Sequence, residues 1–294
     1  MRRRAAVGAV LLAALLPLLA ACGPSRGGST PTPGLPATAE VPSPGAPLPT
    51  DPRALARTLV RVDRRLASGL RQWVAAGAPP PTPSGVALDA LDQQRVYGTL
   101  ASHPSLARAV IAQLPPELAA TATANVAADR ALGALSGPPP ATAPRLKTRE
   151  PLPASELLRE FRRAGRRFHV DWQVLAAINL VESRFGRVVS ASSAGAQGPM
   201  QFLPATWRAY GMGGDVRDPR DAIMGAANYL HASGAPASYR RAVFAYNPSD
   251  HYVDAVLAYA RQMRLDPLAY YAYYNWQVFV ATRSGDEQLT GPGT

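Results

Sequence analysis

Apolar residues recur every three or four positions through most of the chain after residue 51, which is the spacing of one face of an α-helix. The clearest stripe follows Asp51-Pro52, a helix cap and a first-turn proline. Its members are Leu55, Leu59, Val62, Leu66, Leu70 and Trp73. Weaker helical patterns cover residues 88–104 and 115–135. We therefore predict a small helical region over 51–137, which either packs on the rest of the protein as a scaffold or binds something separately.

The same period continues over residues 153–265. A helix is expected to open at Ser155 and Glu156, and Asp171 is expected to cap a second helix that Gly186 stops. A third helix is expected to start at Asp218-Pro219. Alternation typical of a strand is found only near the end of the chain, in the segment YYNWQVFVAT. The pattern therefore predicts a mainly α protein with, at most, a short C-terminal β segment.

Proline divides the chain into these parts, because the 30 prolines crowd a few stretches instead of spreading evenly. Residues 22–50 are expected to form a Pro/Gly/Ser-rich linker and residues 138–152 a second, Pro-rich one. An aromatic C-terminal tail, 266–294, follows the main helical domain. Its aromatic side chains either cover apolar surface or form a platform on which sugars stack.

The net charge is +11, so the surface should attract polyanions. The first residues, MRRRAAVGAVLLAALLPLLAACG, have the basic start and short apolar run of a signal peptide. Export from the cell argues against nucleic acid as the polyanionic partner. The run ends in Leu-Ala-Ala-Cys22, which resembles the bacterial lipoprotein box. That resemblance implies removal of residues 1–21 and acylation of Cys22. It predicts an exported protein held by lipid to the outer face of the cell membrane.

Glu182 is the residue that most needs a chemical explanation, because it lies late in a helical pattern whose neighbours are apolar. Leu175, Ile178 and Phe185 share its side of the expected helix, whereas Arg184 and Arg187 are expected to point to solvent. Desolvation and the negative end of the helix dipole both disfavour a charged carboxylate. A carboxyl kept protonated near neutral pH can act as a general acid, although a glutamate in such a helix is more often a solvated or paired group.

Two further segments carry side chains suited to a sugar-binding cleft. The small-residue loop SSAGAQG leads into Pro199-Met200-Gln201, where a helix is expected to begin. Downstream, Tyr246 and Asn247 place an aromatic ring and an amide at a helix end. Amides that donate and accept hydrogen bonds, together with aromatic rings, are what such a cleft requires.

The order Glu-Ser, Gly-Pro-Met-Gln and Ala-Tyr-Asn resembles the lytic transglycosylase domain of the lysozyme-like superfamily. The matching segments are VESRFG, SSAGAQGPMQFLPATWRAYG, DPRDAIMGAANYL and AVFAYNPSDHYVDAVLAYA, all within residues 153–265. The family often has leucine before Met-Gln, where Pro199 stands here. The fold class implied is a mainly α, lysozyme-like transglycosylase domain.

The resemblance also implies the chemistry. Glu182 takes the position of the catalytic acid, and the substrate-binding positions fall on five residues: Ser183, Met200, Gln201, Tyr246 and Asn247. The expected substrate is peptidoglycan, cleaved at the MurNAc-GlcNAc β-1,4 bond to leave a 1,6-anhydro end. No cofactor, metal or nucleic acid is implied, and a monomer is expected.

Two other functions stay open at this stage. A second carboxylate facing Glu182 would permit hydrolysis by activated water, as in a muramidase. The candidates are Asp171, Asp215, Asp218, Asp221, Asp250 and Asp254. A wall-binding lipoprotein that keeps the fold without turnover is the third reading. The four histidines show no ligand spacing.

Overall fold

The computed structural model describes residues 45–294. The predicted signal peptide, Cys22 and most of the first linker lie outside the described residues. The helices are α1 Pro52–Ala75, α2 Ser84–Ser102, α3 Pro104–Ile111, α4 Pro116–Gly133, α5 Ala154–Phe168, α6 Trp172–Ser183, α7 Pro204–Tyr210, α8 Pro219–Ala232, α9 Tyr239–Tyr246, α10 Asp250–Leu265 and α11 Leu268–Tyr274. Two strands follow, β1 Phe279–Thr282 and β2 Gly285–Gln288. No helix within the described part is long and apolar enough to cross a membrane.

Helix α1 forms as its sequence predicts. The Asp51 carboxylate accepts a hydrogen bond of 2.8 Å from the backbone N–H of Ala54, which satisfies one of the free donors of the first turn. All six residues of the apolar stripe are buried, and Trp73 is only 4% exposed. Burying one face of a 24-residue helix requires partners, and α2, α3 and α11 supply them.

The N-terminal helices and the main helical domain share one hydrophobic core. The largest contact between them joins α4 to α10. Two buried polar pairs hold α4 in place: the Tyr259 hydroxyl of α10 donates to Asp129 at 2.6 Å, and the Tyr273 hydroxyl of α11 donates to Asn125 at 2.9 Å. Polar groups buried this deeply need such partners, so the contact is specific as well as apolar. The N-terminal region therefore packs as a scaffold on the domain that follows it.

The Pro-rich segment 138–152 also lies against the main domain. Thr148 forms an isolated antiparallel bridge with Val188, and the N–H of Arg149 donates to the carbonyl of Arg187 at 2.9 Å. These bonds attach the segment to the chain that follows α6.

The C-terminal tail turns back over the N-terminal helices. Gln94 on α2 exchanges two hydrogen bonds with the backbone of Gln277, at 3.0 and 2.7 Å. Strands β1 and β2 pair as an antiparallel hairpin, so the short β segment expected from the alternation is confirmed. The clustered aromatic residues of the tail are buried: Tyr270, Tyr271, Tyr273, Tyr274 and Trp276. They cover apolar surface, and their burial leaves no exposed platform for sugar stacking.

Three local expectations were wrong. Helix α6 ends at Ser183 and not at Gly186, because Arg184 and Phe185 already have left-handed backbone, with φ of 52° and 60°. Pro199 lies within a turn, and the helix begins five residues later at Pro204. The carboxylate of Asp171 does not cap α6; it pairs with Arg264 at 2.6 Å. The cap expected at Asp218 is confirmed, since its carboxylate accepts from the N–H groups of Arg220 and Asp221.

Candidate active site

Helix α6 carries Glu182 as its penultimate residue. The helix is buried nearly all round, from Val174 to Val181, because it packs against α5, α10 and α11. After Ser183 the chain turns away through three successive residues with positive φ, of which only Gly186 is a glycine. Such backbone costs on the order of 1–3 kcal/mol per non-glycine residue and persists only where the surroundings fix it. The tight exit leaves Glu182 at the end of a rigid element.

The Glu182 carboxyl has one hydrogen-bond partner among the described residues. The hydroxyl of Tyr252, on α10, donates to its Oε1 at 2.6 Å. Burial raises the pKa of Glu182 to about 7, and the Tyr252 hydrogen bond opposes that rise. The residue as a whole is partly exposed. A carboxyl that is largely surrounded by protein can hold a proton near neutral pH and deliver it.

Ser183 lies beneath the site. It is 2% exposed, and its hydroxyl donates to the carbonyl of Pro199 at 2.6 Å and accepts from the N–H of Gly186 at 2.9 Å. The amide of Asn179, one turn earlier on α6, donates to the same Pro199 carbonyl at 2.6 Å. Ser183 was expected to bind substrate. In the structure it fastens the loop around Pro199 to the end of the helix that carries Glu182.

That loop is a tight turn closed by a two-way bridge. The backbones of Gln197 and Phe202 exchange two hydrogen bonds of 2.9 Å. Gly198 has φ of 74°, and a Cβ there would collide with the carbonyl of Val216. Gln201 also has left-handed backbone, with φ of 46°, and its amide donates to the Gly198 carbonyl at 2.9 Å. The partly exposed Gln201 side chain is thus held by its own turn.

Met200 and Tyr246 differ from the expected cleft-lining arrangement. Met200 is fully buried, so its side chain belongs to the core and not to an open wall. Tyr246 is 6% exposed, and its hydroxyl donates to the carbonyl of Met200 at 2.6 Å. Burial raises the pKa of the Tyr246 phenol, and the charge of Glu182 raises it further. Tyr246 fixes the backbone of the turn beside Glu182 and offers little ring surface to a ligand.

Asn247 caps the end of α9 and is 3% exposed. Its amide nitrogen is buried and has no hydrogen-bond partner within the described residues. The candidate second carboxylates are engaged elsewhere. Asp221 accepts from the backbone N–H of Asp215, and Asp250 and Asp254 both pair with Arg240.

Arg184 and Arg187, expected in solvent, turn inward. Arg187 is 6% exposed and lies over the ring of Tyr274 at 5.1 Å. Arg184 has a buried Nη1 with no hydrogen-bond partner in the described part of the chain, and its charge reaches Asp129 on α4. The segment that follows Glu182 is therefore anchored to the tail and to the N-terminal helices.

Tyr252 and Asn179 are the site residues that the sequence reasoning missed. Tyr252 lies on the buried face of α10, and Tyr259 lies seven residues later on the same face. A tyrosine on an apolar helix face signals a hydroxyl that needs a buried partner. That signal was present in the sequence, but it names no partner. No group of histidine, cysteine and acidic residues suited to a metal ion is found in residues 45–294.

Residues 159–264 match the Transglycosylase SLT domain. The match covers a little over a third of the chain and includes α6, the Pro199 turn and α7 to α10. No curated protein and no solved structure matches the chain. The SLT domain is lysozyme-like, and the predicted fold class, mainly α with a small C-terminal sheet, is confirmed.

The SLT match supports an enzyme of the transglycosylase type that acts on peptidoglycan. It begins within α5 and ends just before the last residue of α10, so α1 to α4, α11 and the hairpin lie outside it. Both buried partners that reach the exit from α6, Asp129 and Tyr274, belong to those outer parts.

Proposed function

We propose that this protein is a lytic transglycosylase that cleaves the MurNAc-GlcNAc β-1,4 bond of peptidoglycan without consuming water. The observation that carries the proposal is the position and environment of Glu182. The residue lies inside the SLT match, is partly open to solvent, and has its pKa raised to about 7 by burial.

In the first step Glu182 gives its proton to the glycosidic oxygen, and the bond from that oxygen to the anomeric carbon of MurNAc breaks. The carbonyl oxygen of the substrate's own N-acetyl group bonds to the anomeric carbon and carries the positive charge. The Tyr252 hydroxyl donates to Oε1 and leaves Oε2 to hold the transferred proton. The same hydrogen bond stabilises the carboxylate that the step produces.

In the second step the ionised Glu182 takes the proton of the MurNAc 6-hydroxyl. That oxygen attacks the anomeric carbon, the bond to the N-acetyl oxygen breaks, and a 1,6-anhydro ring closes. One group acts first as acid and then as base, which suits a pKa close to the working pH. The shift of Glu182 has two causes, burial and the Tyr252 bond, and neither involves a second carboxylate. This supports a mechanism with a single acid.

Digestion of purified peptidoglycan followed by mass spectrometry of the released fragments tests the reaction. Fragments that end in 1,6-anhydroMurNAc are expected. Reducing ends, heavier by one water, would identify a hydrolytic muramidase instead. Absence of any fragment release by the folded protein would favour a wall-binding role without turnover.

The proposal includes a lipid anchor at Cys22, which is the only cysteine of the chain. One acyl-bearing residue would hold the enzyme at the outer face of the cell membrane. The Cys22→Ala variant should leave the membrane fraction or fail to mature. A variant that still sediments with membranes after a high-salt wash would contradict the anchor.

A further inference from the structure

Helix α1 has a second pattern, made of arginine. Its exposed face carries Arg53, Arg57, Arg61 and Arg64, spaced by four, four and three residues, which places them on one side of the helix. At a rise of about 1.5 Å per residue the strip is about 16 Å long. Together with Arg65 and Gln113 these residues line a shallow groove of about 510 Å³. The buried leucine stripe is on the opposite face, so the strip is fixed outward.

None of the four guanidinium groups is in a salt bridge within the described residues, although the Arg61 charge reaches Asp92. Arg65, by contrast, is paired with Asp89 at 2.6 Å. The one acidic residue of α1, Asp63, accepts a hydrogen bond from Gln93 instead. Unpaired guanidinium groups in a row form a site for phosphate, whose oxygens match their planar donors.

Helix α5 shows that arginine content alone does not produce such a strip. It carries five arginines, but Glu156 and Glu160 lie on the same helix. Glu160 pairs with Arg163 at 3.2 Å. Two other arginines of α5 lie over aromatic rings, Arg162 over Trp172 and Arg167 over Phe168. The contrast with α1 indicates that the strip on α1 is an organised feature and not a by-product of composition.

The place of the strip in the chain indicates its partner. Arg53 follows Cys22 by 31 residues, so α1 starts within about 110 Å of the proposed anchor even if the intervening chain is fully extended. A tethered domain meets the membrane at a high effective concentration, at which weak contacts suffice. Anionic headgroups attract basic residues near their surface, by about fivefold in partition for each arginine.

We propose that the arginine strip of α1, residues 53, 57, 61 and 64, docks the protein on the anionic phospholipid surface of the membrane to which it is anchored. The docking rests on the anchor of the proposed function but not on catalysis. It would hold the SLT domain in one orientation at the membrane instead of letting it rotate about its tether.

Vesicle sedimentation tests the strip apart from the anchor. The chain without residues 1–22 has no acylation site, and every described helix and strand lies beyond them. It should sediment with vesicles of phosphatidylglycerol and phosphatidylcholine, and not with phosphatidylcholine alone. Binding should weaken sharply between about 0.1 M and about 1 M salt, where the Debye length falls from about 10 Å to about 3 Å.

The decisive variant replaces Arg53, Arg57, Arg61 and Arg64 with glutamine. With about fivefold lost for each arginine, its partition should fall by roughly several hundredfold. The matched control replaces four arginines of α5 and makes the same change in net charge: Arg159, Arg163, Arg166 and Arg167. It should keep its partition within about threefold. If the fourfold variant does not fold, the double variant Arg53→Gln/Arg57→Gln replaces it, and its partition to the vesicles should fall by an intermediate amount.

Three results would overturn the proposal. The folded α1 variant could keep its vesicle binding, or the α5 control could lose as much binding as the α1 variant. The third is that the protein without residues 1–22 binds poly(glycerol phosphate) as tightly as it binds the vesicles. The last result would assign the strip to a wall polymer. Failure of the anchor would appear separately, in the fractionation of Cys22→Ala.

Discussion

Two carboxylates of this protein have similar partners. Glu182 in the SLT domain and Asp129 in the N-terminal helices each accept a hydrogen bond of 2.6 Å from a tyrosine. Both tyrosines, Tyr252 and Tyr259, lie on one face of α10, seven residues apart. Burial raises the pKa of Glu182 to about 7 and that of Asp129 to about 6.

The two sites differ in access and in charge. Asp129 is 4% exposed, and the Arg184 charge lowers its pKa, whereas Glu182 is partly exposed and no cation among the described residues affects its pKa. A raised pKa therefore does not by itself identify a catalytic acid, because a structural carboxyl at a helix contact has one too. Partial solvent exposure is what separates Glu182 from Asp129.

The largest expected effect tests this distinction directly. Glu182→Gln keeps the shape of the side chain but can neither give nor take a proton, so turnover should fall by about 10³-fold or more. Asp129→Asn should keep at least about a third of wild-type turnover, since Asp129 does not touch the substrate. Release of soluble fragments from peptidoglycan measures both. A folded Asp129→Asn variant as inactive as Glu182→Gln would break the comparison.

The tyrosines provide the next test. The Tyr252 hydrogen bond lowers the pKa of Glu182, so Tyr252→Phe should raise it. The first step needs protonated Glu182, so kcat/KM should fall as pH rises through about 7, and in Tyr252→Phe this fall should move to higher pH. Turnover should decrease about tenfold, because a carboxylate partner is lost. Tyr259→Phe, the matched control, should leave the pH of the fall unchanged.

The pH dependence of the free energy of unfolding should be similar for the Glu182 and Asp129 sites. Both folded pKa values, about 7 and about 6, lie above the ordinary values of 4.5 and 3.8. The unfolded chain therefore loses these protons first as pH rises, and stability falls between about pH 4 and pH 7. Glu182→Gln and Asp129→Asn should each reduce that fall, by at most about 3 kcal/mol. Urea unfolding at pH 5 and pH 8 measures it. An unchanged fall in either variant would show that its carboxyl ionises as easily in the folded protein as in the unfolded one.

The smallest effects are expected at the Pro199 turn. Substitution of the partly exposed Gln201 should affect mainly turnover, and substitution of the buried Tyr246 should affect mainly stability. Gln201→Ala should lower turnover several-fold and cost about 1 kcal/mol, because it loses one partly buried hydrogen bond within its own turn. Tyr246→Phe leaves the Met200 carbonyl without its donor and should cost about 1–3 kcal/mol. Thermal unfolding measures stability and fragment release measures turnover for both variants. A Gln201→Ala variant that lost stability and kept its turnover would contradict the assignment of Gln201 to the substrate cleft.

The sequence predicted those features that depend on local pattern. The stripe of α1, the cap at Asp218, the C-terminal β segment and the raised pKa of Glu182 all follow from neighbours a few residues away. The resemblance to the lytic transglycosylase domain placed Glu182, the Pro199 segment and Tyr246 in one motif, and in the structure Ser183 and Tyr246 both donate hydrogen bonds to the Pro199 turn.

Features that depend on distant contacts were not predicted. The period of α6 continues to Phe185, but the chain leaves the helix after Ser183, since Ser183 binds Pro199 and Arg184 faces Asp129 on α4. Residue type likewise gave no sign that Met200 points inward and Tyr252 toward Glu182. Such directions are set by helices far apart in sequence, which a motif cannot report.

The return of the C-terminal tail over α1 and α2 has a consequence for the order of events as the chain is made. Trp73 packs edge-on against Tyr271 at 5.8 Å, and Gln94 is bonded to Gln277, so the first helices are completed by nearly the last residues. A chain synthesised from its N-terminus holds these helices with an uncovered apolar surface until its other end arrives. Loss of the final 30 or so residues should thus expose the beginning of the protein, and the nascent chain depends on late closure to be protected from aggregation.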